Sequence, residues 1–125
     1  MIWKTVSPSH GDIIRVRVSF YYHYGIYADD DTVIQFGLPD NSGTPSEDIS
    51  VLVTDINTFS CGKLCETGVC EKSEKKKRFS GAETVLRAKS RIGERGYNIL
   101  ENNCEHFVYS CAFGKEHSFF DKFKK

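Results

Sequence analysis

Asn102-Asn103-Cys104-Glu105-His106-Phe107-Val108-Tyr109-Ser110-Cys111-Ala112-Phe113-Gly114 reads as a short amphipathic helix with a cysteine in its first turn. Asn102 is placed to cap it and Glu105 to close a capping box, which sets Cys104 at the second helical position. There the exposed backbone N–H groups and the positive end of the helix dipole favour a thiolate over a thiol. Gly114 stands where a left-handed residue ends a helix. On a helical period Cys104 shares a stripe with Phe107, Val108, Cys111 and Ala112, which turns its sulfur toward the protein interior.

Bulk composition narrows what such a cysteine can serve. A chain of 125 residues, 39% hydrophobic and 13% aromatic, predicts one globular domain over residues 1–125 with a core from about 9 to 114. Lys plus Arg and Asp plus Glu both total 17, so there is no broad positive field of the kind that binds nucleic acid. No apolar run resembles a secretory signal or a membrane span, and the expected address is cytoplasmic. Five cysteines, an odd number, fit a reducing compartment better than a disulfide framework.

Upstream of the helix the pattern is one of strands. Residues 1–10 are an irregular lead-in; Ile14, Val16 and Val18 then alternate with Arg15, Arg17 and Ser19. Phe20 to Tyr27, the turn Ala28-Asp29-Asp30-Asp31 and Thr32 to Phe36 form a β-hairpin. A three-residue loop sets His23 directly opposite Gln35, and a four-residue loop makes them diagonal neighbours on the same face. Gly25, between His23 and Tyr27 on that face, leaves room beside the imidazole. Residues 37–47 form a surface loop and 48–56 another strand; 58–79 read as a cysteine-rich, exposed hairpin or loop with a basic tip. Ser80-Gly81-Ala82-Glu83 opens a helix from Gly81 to about Arg95.

Cys104, His23 and Gln35 are the residue types of a cysteine nucleophile, its partner base and a polar group that orients the imidazole. From the residues alone, a buried small cysteine and a core histidine are the simpler description, because spacing does not bring them together. Asn103 serves either to orient the turn at the nucleophile or as an ordinary cap; His106 faces away from the Cys104 stripe and reads as structural or surface. Cys61, Cys65 and Cys70 lack the paired spacing of common zinc modules, so a zinc site there needs a fourth ligand such as His117, and incidental thiols are the simpler account. Phe119, Phe120 and Phe123 in the tail, 115–125, form a stripe among lysines suited to peripheral membrane contact or to packing on the domain.

His10-Gly11-Asp12-Ile13-Ile14, His23-Tyr24-Gly25-Ile26-Tyr27, Arg87-Ala88 and Asn103-Cys104-Glu105-His106-Phe107-Val108, in that order, closely resemble the lecithin:retinol acyltransferase family, with its HRAS-like suppressor phospholipases and acyltransferases. The resemblance implies an α+β, circularly permuted papain-like fold, an antiparallel sheet packed against the helix that carries the cysteine. It implies Cys104 as nucleophile, His23 as general base and then acid, and the Cys104 backbone N–H as oxyanion donor, with no cofactor. The implied activity is acyl transfer or hydrolysis through a thioester acyl-enzyme, with a phospholipid or other acyl donor. Gln35 stands where the acyltransferase branch usually has a second histidine, which keeps a cysteine amidase or peptidase of the same fold as an alternative, beside an inactive interaction module.

Overall fold

The β-prone segments assemble into a single six-stranded sheet in the order β1-β6-β2-β3-β4-β5, every pairing antiparallel. Its strands are β1 (Ile2–Lys4), β2 (Ile13–Val18), β3 (Tyr21–Tyr27), β4 (Thr32–Phe36), β5 (Val51–Asp55) and β6 (Glu66–Val69). Among the described residues four α-helices accompany the sheet: α1 (Ile56–Ser60), α2 (Lys72–Lys75), α3 (Gly81–Ser90) and α4 (Cys104–Phe113). This computed structural model describes residues 1–41 and 43–114, so the Phe119, Phe120, Phe123 stripe lies outside the described residues. No helix among the described residues is long and apolar enough to cross a membrane.

Alternation along the strands divides the core in two. Ile13, Tyr24, Ile26, Ile34 and Phe36 face α3 and α4, where they meet Val85, Ala88, Phe107, Val108 and Cys111. Ile14, Val16 and Val33 face the other way and are covered by Phe59 of α1. Deleting the Phe59 ring from such a site costs on the order of 3–5 kcal/mol.

Two expected irregular stretches are ordered. Ile2–Lys4 is a strand because β6 is its partner, and β6 comes from the 58–79 segment, which holds the end of α1, β6 and α2 rather than a separate exposed hairpin or loop. Thr67 at its centre is buried and pairs with Ile14. Cys61 ends α1 in the left-handed region at φ 52°, and among the described residues no three His, Cys, Asp or Glu side chains are grouped so as to hold a metal ion; His117 lies outside the described residues. The third helix stops at Ser90, short of Arg95, because Gly93 turns the chain at φ 89° and residues 93 and 94 bond to both sides of Val51 on β5.

The start of α3 is pinned to the turn before β2. A Cβ on Gly11 would strike the Gly81 backbone, and one on Gly81 would strike the His10 carbonyl, so both positions require glycine. Arg78 ties the same corner by donating to the Gly11 carbonyl at 2.6 Å and the Thr84 hydroxyl at 2.6 Å.

Candidate active site

The β3–β4 hairpin takes the diagonal register. Gly25 faces Gln35 and Tyr27 faces Val33, which leaves His23 one step beyond the last pair on the same face as Gln35. His23 Nε2 and Gln35 Oε1 are 2.7 Å apart, both groups buried. Gln35 Nε2 in turn donates to Thr54 Oγ1 at 2.6 Å, and that hydroxyl donates to the Asp55 carbonyl at 3.0 Å. With its own proton so committed, Thr54 can only accept from Gln35, which turns the amide oxygen toward His23. The neutral imidazole therefore carries its proton on Nε2, and Nδ1 keeps the lone pair. Gly25 does not leave a cavity beside the ring as expected: Val33 and Phe59 fill the space its Cβ would occupy, and Phe59 lies over His23 with centroids 5.2 Å apart.

Cys104 comes to this strand from the opposite face, in the cluster that holds Tyr24 and Phe107. The meeting point follows from the ladder. Tyr27 directs both its N–H and its C=O at residues 11 and 12, so by alternation the Tyr24 N–H points to the β4 side, where pairing has already ended. That amide borders the Cys104 thiol and favours its ionised form. The sulfur thus sits at the parting of β3 and β4, one peptide from His23. Thiol and imidazole are not hydrogen-bonded to each other in this state, and such contacts commonly tighten only when substrate is bound.

Capping fixes the thiol's position, with a one-residue shift from the expected frame. Asn103, rather than Asn102, is the N-cap, and Cys104 is the first helical residue. Asn103 Oδ1 accepts from the His106 N–H at 3.0 Å, while His106 Nδ1 accepts from the Asn103 N–H at 3.1 Å, so His106 takes the place expected for Glu105 in the capping box. It is 1% exposed and belongs to the interior, not the surface. Asn103 Nδ2 also holds the Ile99 carbonyl at 2.6 Å, tying the preceding loop to the helix start.

Burial dominates the electrostatics. It pushes the Cys104 thiol up to about 11, against the Tyr24 amide and the first-turn N–H groups, while Glu105 pushes the same way as burial. The expected low-pKa thiolate is therefore not the resting form; the helix terminus is outweighed by desolvation. Burial likewise lowers His23 to about 4, against the stabilising contacts of Gln35 and the Gly37 backbone. Both groups are therefore neutral near pH 7 in this geometry. Burial raises the Tyr21 and Tyr97 phenols; the Asp40 carboxylate and then a charge on Cys104 raise Tyr21 further, and a charge on Cys104 raises Tyr97.

Thr54, Phe59, Tyr21, Tyr97 and the Tyr24 amide were not singled out by sequence reasoning. Thr54 carries the only local signal, a β5 hydroxyl on the strand next to Gln35, and it becomes readable once β4 and β5 are known to pair Val33 with Thr54.

The family model described as Lecithin retinol acyltransferase matches residues 6–117. A lecithin retinol acyltransferase from Bos taurus is 30% identical over 133 aligned residues, covering 90% of this chain and 58% of that protein. The Homo sapiens protein of that name is 29% identical, with 90% and 57% covered. Phospholipase A and acyltransferase 3 from Mus musculus is 28% identical, with 91% and 76% covered. The chain spans less than two thirds of the length of the two lecithin retinol acyltransferases.

Proposed function

Because the chain belongs to the lecithin retinol acyltransferase family, we propose that it is a thiol acyltransferase and phospholipase acting on a lipid ester, built on a circularly permuted papain-like fold. The observation that carries this reading is the Thr54–Gln35–His23 relay ending beside the peptide that borders Cys104. Acyltransferase and phospholipase chemistry is also what the names of the similar proteins state.

In this mechanism His23 Nδ1 takes the thiol proton as Cys104 Sγ bonds to the ester carbonyl carbon. The carbonyl π electrons move to the oxygen, and the N–H of Cys104, at a helix start where no intrahelical acceptor is available, stabilises the oxyanion. Collapse breaks the ester C–O bond; the leaving alkoxide takes the proton from His23 Nε2–Nδ1 imidazolium at Nδ1 and departs as the alcohol. Water or an acceptor amine or hydroxyl then attacks the thioester, with His23 again taking and returning one proton. Gln35 Oε1 accepts from Nε2–H throughout, which stabilises the imidazolium without sharing its proton.

Intact-mass spectrometry after incubation with a phospholipid mixture tests the reading, with Cys104→Ala and His23→Ala in parallel. An acyl adduct on Cys104 that both variants lose is the expected result. Turnover retained by Cys104→Ala would sink the thiol mechanism. Selective labelling of Cys104 by an amide-directed electrophile, with no lipid adduct, would transfer the relay to amide or peptide hydrolysis, which the amide at position 35 also suits. No selective labelling of Cys104 would leave an interaction module.

A further inference from the structure

Exposed apolar side chains collect where β3 begins, the end of the sheet nearer Cys104. The turn between β2 and β3, with Ser19 in the left-handed region at φ 56°, holds Phe20 out at 85% exposure. On one side of it, the pairing of Arg15 with Glu66, continued two residues past the ladder, sets Leu64 opposite Arg17. Lys63 Nζ donates to the Arg17 carbonyl at 3.1 Å, and Leu64 is 76% exposed. On the other side the Tyr21 ring stands edge-on to Phe20 at 5.9 Å, and its hydroxyl donates to the Pro39 carbonyl at 3.1 Å, which brings in exposed Leu38.

The rim continues to the start of α4. Phe36, two residues before Leu38, meets Tyr97 edge-on at 5.2 Å, so the loop after β4 adjoins the segment that runs into the cysteine helix. That segment exposes Ile99 and Leu100, and Asn103, the cap before Cys104, donates to the Ile99 carbonyl at 2.6 Å. Single apolar residues on a surface need no explanation, but a group of them joined by contacts marks a surface of interaction. Charge along the rim has both signs. Arg17 and Lys63 flank Phe20 and Leu64 and, among the described residues, form no ion pair with a carboxylate. Asp40 follows Pro39, and Glu101 follows Leu100. A zwitterionic headgroup layer offers phosphate to the first two and ammonium to the second two, whereas an anionic surface would repel the carboxylates.

We propose that this rim seats on a zwitterionic phospholipid surface, with Phe20 and Leu64 entering the boundary between headgroups and acyl chains and Ile99 and Leu100 holding the Cys104 end of α4 against it. Arg17 and Lys63 keep their charges at the level of the phosphates while their stems lie along the apolar layer. The choice of occupant rests on the lipid-ester reading above, and it adds the face by which the chain meets that substrate.

Flotation of the full chain with phosphatidylcholine vesicles tests the docking face, in a Cys104→Ala background so that binding is read without turnover. Phe20→Ser and Leu64→Ser should each lower the ratio of bound to free protein by roughly tenfold. Leu86→Ser should leave it unchanged, because Leu86 is exposed on α3, whose start is pinned to the opposite end of the sheet. Admixed phosphatidylserine should not strengthen binding. With Cys104 intact, Phe20→Ser should lose about the same factor in rate on vesicles while keeping its rate on a monomeric short-chain phosphatidylcholine. Rim-dependent flotation without any phospholipid turnover by the wild type would keep the docking face and remove the lipid-ester chemistry. Turnover on vesicles that is insensitive to Phe20 and Leu64, with equally insensitive flotation, would keep the chemistry and overturn the docking face. Binding confined to anionic vesicles and lost in salt would also overturn it, as would a dimer that Phe20→Ser dissociates in the absence of flotation.

Discussion

Thr54 acts at a distance of two hydrogen bonds from His23, and its influence can be measured. Removing its hydroxyl frees the Gln35 amide to rotate, so that an N–H can face the Nε2–H of His23 and the preferred tautomer is lost. Gln35→Leu goes further and leaves the buried imidazole N–H without an acceptor, a loss of about 1–3 kcal/mol. On the proposed mechanism Gln35→Leu lowers kcat/KM by roughly 10- to 100-fold and Thr54→Val by up to about tenfold. Steady-state rates for the pair of single variants and the double variant check the relay. Thr54→Val should be silent on the Gln35→Leu background, and additive effects would mean that Thr54 acts through something other than the amide.

At the level of elements, α4 is positioned by its cap and α3 by its glycine. Asn103→Ala removes the acceptor for the His106 N–H and the donor to the Ile99 carbonyl, so it should lower stability by about 1–2 kcal/mol, read as a fall in denaturant midpoint at constant slope. Gly81→Ala drives a methyl group into the His10 carbonyl and should cost about 1–3 kcal/mol, although alanine is the better helix former in isolation. An unchanged midpoint for Gly81→Ala would show that the corner yields without strain. These elements differ in how far the sequence reveals them. The alternation of Ile14, Val16 and Val18, the Ser80 cap and Gly114 are local signals, and β2, the start of α3 and the end of α4 all follow from them. Strands β1 and β6 are short segments whose order comes from pairing with each other and with β2, a long-range event that no local pattern carries. The cap frame slipped by one residue because His106 can serve at the third helical position as Glu105 was expected to, and the sequence offers both.

For the whole molecule, the sheet itself is the barrier that made the site only half legible. His23 and Gln35 share a face by strand parity, which a sequence reveals; Cys104 lies on the other face, against the Tyr24 amide beyond the point where the β3–β4 ladder stops. Enclosing the site between two layers also buries His23, and that burial couples the site to global stability. His23 is lowered from 6.5 to about 4, so the native state favours the neutral ring more strongly than the unfolded chain does. Its contribution is present in full above the unfolded pKa and is lost as pH falls from about 6.5 through about 4. A shift of this size corresponds to about 3 kcal/mol. The carboxylates whose pKa is lowered, Asp55 and Glu74, ordinarily titrate near 3.8 and 4.5, so they lose their contribution at lower pH and do not account for an earlier fall. Urea unfolding at a series of pH values between 7 and 4 should therefore show stability declining well before those carboxylates protonate. His23→Leu, which cannot titrate, should flatten that part of the profile even if its stability at pH 7 is reduced. A profile of equal slope in both proteins would place the acid-sensitive group elsewhere and leave His23 more solvated than its position between Phe59 and Gln35 requires.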